Sequence, residues 1–388
     1  MDLAVVTPFP PRLTGIGQYG YHLCQALARF GFFRRVVVVT ERAGPTVLSR
    51  HGVEECRSWP YGHPALGLRL LGALRRARAD AVWVNFGLSM FGPSPAALLS
   101  GLMGLTAAAL GGPPMTITLH EPGIIGAFQG GEFGVSSAGQ AVLRLIVRWV
   151  ARLGVVAVPL RSQAEGLRRA LGGGRVVYIP HGTFDPPEAL PEPPAPGVLF
   201  FGSIAPYKGL PTLLAAFERL RAANPSAVLE IAGAGHPRFP EYGSALRLLA
   251  RNAPGVRWSG PVPEAGVRET FGRSTVVVLP YQAALGASSV LYRAAAWGRP
   301  VVASELPAIR AAAAEAGLQV NWVPAGDSPA LAEALDAVLG RPDLREAQRR
   351  HNLQAVGSFS LEAVAAAYGR LLQTAGRQDV QCLVPEWG

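Results

Sequence analysis

Residues 197–214, GVLFFGSIAPYKGLPTLL, decide the fold of this chain. Residues 198–201 form a short apolar run typical of a buried parallel strand, a glycine-containing loop follows, and residues 210–220 have helical spacing. Backbone N–H groups at such a helix start attract anions. Lys208, the only lysine in the sequence, lies directly before the glycine that opens the helix, and its compact ammonium suits a phosphate oxygen. The alternative is a surface lysine without function.

The same alternation of strands and helices continues on both sides of this stretch. Residues 185–196, half of them proline, interrupt it and predict a semi-rigid linker. The alternation predicts an α/β fold of two Rossmann-like, doubly wound domains that face each other. The first domain is expected over residues 1–184 and the second over residues 197–357.

Composition limits the partners. A chain of 388 residues with 49% apolar and 16% charged residues is long enough for two folded domains. Its net charge of +10 favours an anionic partner. No clustered basic-aromatic motif is present, which argues against nucleic acid. Three distant cysteines without metal-ligand spacing, and a start that lacks a signal-peptide pattern, predict a cytoplasmic protein.

Two stretches raise the question of a membrane. Residues 95–112 carry no charge and are almost long enough to cross a bilayer, but their alanine and glycine content and their place between two strands favour a helix packed inside a domain. In residues 142–153, Arg144, Arg148 and Arg152 form one stripe of an apolar helix. That helix suits an anionic membrane surface, and it equally suits packing on the sheet with solvated arginines.

Two further features follow the first-half strands. Gly15, Gly17 and Gly20 give the spacing G-x-G-x-x-G, and Glu41 closes the second strand, as a dinucleotide site would require. The long proline-rich loop before these glycines fits a tight pyrophosphate turn poorly. His120 ends the strand at residues 115–119, at the edge where open α/β sheets bind ligands. Its alternative role is local backbone bonding.

Four stretches together resemble the GT-B glycosyltransferases, and within them the family-4 retaining enzymes that use nucleotide-sugar donors. They are TGIGQY at 14–19, LHEP at 119–122, YIPHGTF at 178–184, and FFGSIAPYKG at 200–209 with LPYQAALGASSVLYRAAAWGRPVVAS at 279–304. The resemblance covers nearly the whole chain. It implies two domains across a cleft, with a last helix at 358–375 that crosses back onto the first domain.

The resemblance also implies roles for matching residues. It assigns His120 to the donor sugar and Lys208 to the diphosphate, and we take these two as the catalytic candidates. The other donor and phosphate candidates are Gly15, Ile16, Gly17, Gly202, Ser203, Gly233, Gly286, Ala287, Ser288, Ser289 and Arg293.

The sequence departs from the family pattern at three positions. Ser203 stands where the family has a phosphate-binding arginine, and Leu285 and Arg293 replace two glutamates. A branch with a small, serine-containing loop resembles residues 286–289, whose amides and hydroxyls could still hold a phosphate. For Arg293 we expect either contact with a phosphate or an acidic donor such as a hexuronic acid, or exposure to solvent.

The predicted function is transfer of a sugar from a UDP-, GDP- or ADP-sugar to a hydroxyl, with retention and without metal or cofactor. The acceptor is expected to be a saccharide, a lipid-linked saccharide or a small molecule, with peripheral contact to the inner membrane face as a further expectation. A catalytically silent relative that binds a nucleotide sugar or glycan is the alternative. An NAD-dependent oxidoreductase and a sugar-nucleotide epimerase remain open.

Overall fold

The computed structural model describes residues 1–12, 14–42, 52–120, 137–236, 239–284 and 286–374. The chain forms two compact units. The first contains the described parts of Met1–Gly131, Val135–His181 and Leu361–Gly388, and the second contains the described parts of Gly182–Ser360. Leu285 and Cys382 lie outside the described residues.

The first unit is built on a seven-stranded parallel sheet in the order β3-β2-β1-β4-β5-β6-β7. Its strands are β1 (Asp2–Val6), β2 (Arg35–Glu41), β3 (Val53–Trp59), β4 (Ala81–Phe86), β5 (Met115–Leu119), β6 (Val155–Val158) and β7 (Val176–Tyr178). Its helices are α1 (Gly15–Arg29), α2 (Leu66–Ala77), α3 (Pro95–Ala109), α4 (Ser137–Val150), α5 (Arg161–Leu171) and, at the end of the described chain, α13 (Leu361–Thr374). The strand order reverses between β1 and β4, and open α/β sheets bind ligands at such a point.

The second unit has a six-stranded parallel sheet in the order β10-β9-β8-β11-β12-β13. Its strands are β8 (Gly197–Phe201), β9 (Val228–Ala232), β10 (Val256–Gly260), β11 (Val276–Leu279), β12 (Val301–Ser304) and β13 (Asn321–Val323). Its helices are α6 (Leu210–Ala223), α7 (Tyr242–Leu249), α8 (Glu264–Gly272), α9 (Ser289–Ala296), α10 (Pro307–Glu315), α11 (Ser328–Gly340) and α12 (Pro342–Gly357). The order reverses between β8 and β11, so the stretch that opened the sequence analysis lies at the switch point. The prediction of two doubly wound, Rossmann-like domains is confirmed.

The proline-rich segment 185–196 is tied to the second unit. The Glu188 N–H donates to the Ala296 carbonyl at 2.7 Å, and the Arg299 guanidinium donates to the Pro191 carbonyl at 2.7 Å. Arg345 holds the Glu192 carboxylate through two bonds of 2.8 Å. This segment is therefore anchored along its length, and proline alone does not make it a loose connection.

The uncharged stretch at residues 95–112 forms α3, which the Ser94 side chain caps at Ala97 N. The helix packs against α2 and buries Leu102 and Leu105 in the core of the first unit. In the described part of the chain, no helix has the length and apolar content needed to span a bilayer.

Candidate functional site

Close backbone contacts join the loops that follow β8 and β9, next to the switch point of the second sheet. Gly202 has φ +125°, a conformation that side-chain-bearing residues rarely adopt. A Cβ atom on Gly233 would overlap the carbonyl oxygen of Gly202. The loops after β8 and β9 then pair, because Ile204 N donates to the Ala234 carbonyl at 2.8 Å. Ser203 lies half-buried between Gly202 and Ile204 in this loop. Two glycines therefore let two strand ends meet and keep the backbone accessible.

Lys208 lies at the end of a short 3₁₀ turn, Pro206–Lys208, and the left-handed Gly209 ends that turn before α6 begins. Its ammonium is 3.6 Å from the ring centroid of Tyr281 and 5.8 Å from that of Tyr207. In the described part of the chain it has no ion pair. An ammonium over aromatic faces is held by the ring quadrupoles and keeps its charge for an anion.

The same tyrosine connects Lys208 to the start of α9. The hydroxyl of Tyr281 lies 3.5 Å from the hydroxyl of Ser288. Ser288 occupies the position before the first turn of α9, and its side chain accepts no bond from the helix's own N–H groups. Gly286 and Ala287 precede it, and Ser289 is the first residue of the helix. A cation and a helix N-terminus thus meet around one tyrosine ring, a combination that attracts negative charge.

Of the two settings expected for Arg293, the structure excludes exposure to solvent. Its side chain is only 2% exposed, pairs with Asp185 at 3.1 Å and also pairs with Glu264. The guanidinium lies 5.1 Å from the ring of Phe184 and 5.8 Å from that of Trp297. Burial excludes the solvent-facing role. Two carboxylates balance its charge, and through these contacts Arg293 joins α9 to α8 and to residues 184–185.

His120 directly follows β5 in the first unit, and its imidazole is packed against the ring of Tyr19 at 4.9 Å between centroids and 81° between planes. Its Nε2 atom lies 2.5 Å from Oδ1 of Asn85. Burial, and to a lesser extent the neighbouring His181, lower the pKa of His120 to about 3. The imidazole is therefore neutral at physiological pH, and it acts as a hydrogen-bonding group and not as a cation.

Gly15 and Gly17 lie in the first turn of a helix and not in a loop before it. Thr14 caps the helix by accepting from Gly17 N at 2.9 Å, so α1 begins at Gly15. A Cβ on Gly15 would meet nothing within 4 Å, so the first turn is open on that side. The carbonyl of Ile16 accepts from the Asn85 amide at 2.8 Å. The candidates Gly15, Ile16 and Gly17 therefore lie on a capped helical turn.

Sequence reasoning missed two residues of these sites. Asn85 is the one amide in the otherwise apolar strand β4, and that isolated polar residue was a usable signal. Tyr281 follows Leu279-Pro280 at the end of β11, a place where a ligand-facing residue is expected in such a sheet.

Helix α4, which carries the arginine stripe, is amphipathic, as the sequence predicts. Val147 and Val150 are buried against the sheet, whereas Arg144 and Arg148 are exposed. Leu145 is exposed beside these arginines. One face of the helix therefore packs and the other presents both cations and apolar side chains. Within the described ranges, no group of three or more His, Cys, Asp or Glu residues is placed to hold a metal ion.

Two doubly wound parallel units, each with its candidate residues at a switch point, define the GT-B class of fold. The family model for a glycosyl transferase 4-like domain matches residues 14–182, and the model for glycosyl transferases group 1 matches residues 195–341. The chain belongs to the family-4-like glycosyltransferases of the GT-B fold.

Similar proteins fall in the same class. A phosphatidyl-myo-inositol mannosyltransferase of Mycobacterium leprae is 32% identical over 232 residues, which are 58% of this chain and 59% of that protein. The mannosyltransferase of the same name from Mycolicibacterium smegmatis is 29% identical over 243 residues, 61% of this chain and 60% of that protein. The chain thus matches about 60% of the length of these curated relatives.

Solved structures show the same fold. Sucrose-phosphate synthase from Thermosynechococcus elongatus has a TM-score of 0.74 at 18% identity, with 96% of this chain and 98% of that chain covered. The Anabaena protein HepE, in complex with UDP-glucose, has a TM-score of 0.72 at 17% identity, with 96% and 100% covered.

Proposed function

We propose that the protein transfers a sugar from a nucleoside-diphosphate sugar to a hydroxyl acceptor, with retention of anomeric configuration and without a metal ion. The observation that carries this proposal is the meeting of Lys208, Tyr281 and the start of α9 at the switch point of the second sheet. When the glycosidic bond to the diphosphate breaks, negative charge develops on the leaving phosphate. A well-placed donor at such a charge contributes on the order of 3 kcal/mol to the transition state.

His120 takes a different part in this proposal. Because its imidazole is neutral, it can accept a hydrogen bond from a sugar or acceptor hydroxyl and does not compete for the diphosphate. The family resemblance implies a front-side mechanism in which the leaving phosphate itself takes the acceptor proton. A protein base with a raised pKa is then not required, which agrees with the low pKa of His120.

We propose a lipid-linked or otherwise anionic acceptor. The names of the curated relatives and two surfaces of the first unit support this proposal. The first surface is the exposed face of α4. The second is a cavity of about 370 Å³ at the edge strand β3. Among the described residues its lining includes Arg42, Arg57, Arg69 and Arg76 and no carboxylate, and Arg57 pairs with the neighbouring Glu55. Leu68, 77% exposed, borders this cavity on α2. Cations beside exposed apolar side chains suit an anionic interface.

A catalytically silent relative that binds a nucleotide sugar or glycan is the second candidate, and Arg293 is the observation that favours it. The position where the family has a carboxylate at the donor is used here for an internal ion pair with Asp185 and Glu264. A silent relative that binds a nucleotide sugar shares donor binding with the transferase. Only the transferase releases nucleoside diphosphate, so slow donor hydrolysis without acceptor separates the two.

The test is a thermal-shift screen against UDP-, GDP- and ADP-sugars, with NAD as a further ligand. A ligand at a hundredfold excess over its Kd stabilises the folded state by about 2.7 kcal/mol. We expect one nucleotide sugar to raise the melting temperature of the wild type and to have no effect on Lys208→Met, which keeps the apolar stem and removes the charge.

The matched control is Arg247→Met, because Arg247 is an exposed cation on α7 of the same unit. It should respond to the sugar as the wild type does. Stabilisation by NAD alone, or equal stabilisation of Lys208→Met, would overturn the proposal.

A further inference from the structure

We propose, building on the transferase function above, that Asn85 is a positioning residue which fixes His120 as an Nε2–H tautomer and joins it to the first turn of α1. Asn85 is fully buried in β4, at 0% exposure. Its side-chain amide contacts three groups from three other parts of the first unit: Ile16, Thr7 and His120.

The orientation of this amide follows from its two acceptor neighbours. The Ile16 carbonyl can only accept, so the amide nitrogen must face it, at 2.8 Å. The Thr7 hydroxyl donates its one hydrogen to the Pro8 carbonyl at 3.0 Å and therefore accepts from the same amide nitrogen, at 2.9 Å. Both N–H groups of Asn85 are used, and its carbonyl oxygen is left facing His120.

The tautomer of His120 follows in turn. A carbonyl oxygen offers no hydrogen, so the Nε2 atom of His120 must donate across the 2.5 Å contact. In a neutral imidazole the other nitrogen, Nδ1, then carries the lone pair. Tyr19 packs against the imidazole at nearly a right angle. The site therefore presents one acceptor, Nδ1, which can receive a hydroxyl of the sugar or of the acceptor.

The same amide explains a glycine. A Cβ on Gly20 would overlap the Thr7 hydroxyl and lie 2.9 Å from the amide nitrogen of Asn85. Because Gly20 has no side chain, the Asn85 amide can approach α1 closely enough to bond the carbonyl of Ile16 in its first turn. The first turn of α1 and His120 are both bonded to the Asn85 side chain, so a shift in one is transmitted to the other.

The test is ¹⁵N NMR on protein labelled at its seven histidines, with the His120 signals assigned through His120→Gln. The wild type should show His120 as the Nε2–H tautomer, neutral from pH 8 down to at least pH 5. A His120 signal of the Nδ1–H form, or one that titrates near pH 6.5, would overturn the proposal without any variant.

Two variants add a readout that a purely structural role would not move. Asn85→Ala removes the acceptor, so His120 should become a mixture of tautomers. Asn85→Asp places a carboxylate beside the imidazole and should raise the pKa of His120 into the measurable range; its titratable neighbours in the described residues are His181 and Tyr19. Unchanged His120 signals in both folded variants would contradict the assignment.

Thr118→Val is the matched control. Thr118 is also buried near the end of β5 and is bonded to Trp83 at 2.8 Å and to Tyr368 at 2.7 Å, and neither bond involves the imidazole. It should lower stability and leave the His120 tautomer as in the wild type. A shift of tautomer in Thr118→Val as large as in Asn85→Ala would refute a specific role for Asn85.

Donor hydrolysis completes the test. Loss of alignment by Asn85→Ala should lower kcat/KM by up to about 100-fold. If the wild type hydrolyses none of the UDP-, GDP- or ADP-sugars, the proposed function fails, whereas the tautomer measurement still decides the role of Asn85.

Discussion

Replacing Arg293 by methionine should destabilise the second unit without changing the choice of donor. The substitution keeps the apolar stem and leaves two carboxylates near each other without their cation. Removing one partner of a fully buried ion pair costs about 3–5 kcal/mol. The side chains of Asp185 and Glu264 are 16% and 34% exposed and keep part of their hydration, so we expect a smaller loss than for a fully buried pair, about 2–3 kcal/mol.

A unit of this size melts about 2–4 °C lower for each kcal/mol lost, so Arg293→Met should melt about 4–12 °C below the wild type in calorimetry. Adding Asp185→Asn and Glu264→Gln removes the uncompensated charges and should recover part of the loss. Arg247→Met, at an exposed position on α7, should stay within about 0.5 kcal/mol of the wild type. If Arg293→Met melts with the wild type and loses activity on an acidic donor more than on a neutral one, the buried ion pair is not what Arg293 provides.

Three further outcomes are expected. Gly20→Ala should lose about 1–3 kcal/mol through overlap with Thr7, whereas Gly15→Ala, whose Cβ meets open space, should not; equal effects in urea unfolding would contradict the packing described. The pKa of His120 is about 3 in the folded state and 6.5 in the unfolded state, so the free energy of unfolding falls as pH drops below 6.5. Between pH 7 and pH 5 the wild type should lose about 2 kcal/mol more of this free energy than His120→Gln. Parallel stability curves of the two proteins against pH would refute this. Leu145→Asp should weaken binding to phosphatidylglycerol vesicles about tenfold or more. Leu249→Asp, which changes another exposed leucine, on α7 of the second unit, should not weaken it. Equal binding by both variants would exclude α4 as the contact.

The sequence predicts the central strands well and the edge strand β3 of the first sheet poorly. β1, β2 and β8 are continuous apolar runs because both faces of a central parallel strand are buried. β3, VEECRSW, pairs on one side only, with β2, and carries charges that solvent tolerates, so it gives no apolar run. Glycines and arginines interrupt the apolar stripe of α2, and this helix was missed. β13, α10 and α12 of the second unit were also not predicted.

The roles of single residues depend on partners that are distant in sequence. Lys208 could be singled out because the phosphate role proposed for it needs only a strand, a turn and a helix that are adjacent in the chain. The ion pairs of Arg293 join residues 185, 264 and 293, and no local pattern indicates which carboxylates a buried arginine will meet. The tautomer of His120 likewise depends on Thr7, Ile16 and Asn85, which only the folded sheet brings together.

The glycines of the G-x-G-x-x-G spacing have a structural role that does not involve a dinucleotide. Gly17 is close to the Thr14 cap, and Gly20 gives room to Thr7 and Asn85, so these two glycines serve the packing of α1 on the strand ends. Glu41, which a dinucleotide site would use for a ribose hydroxyl, is buried and bonded to Arg12 at 2.7 Å, and burial raises its pKa. An acidic group held in this way is poorly placed to bind a ribose. Both features that favoured an oxidoreductase are therefore accounted for within the first unit, and the proposed anion site at Lys208 in the second unit is where a nucleotide should be sought.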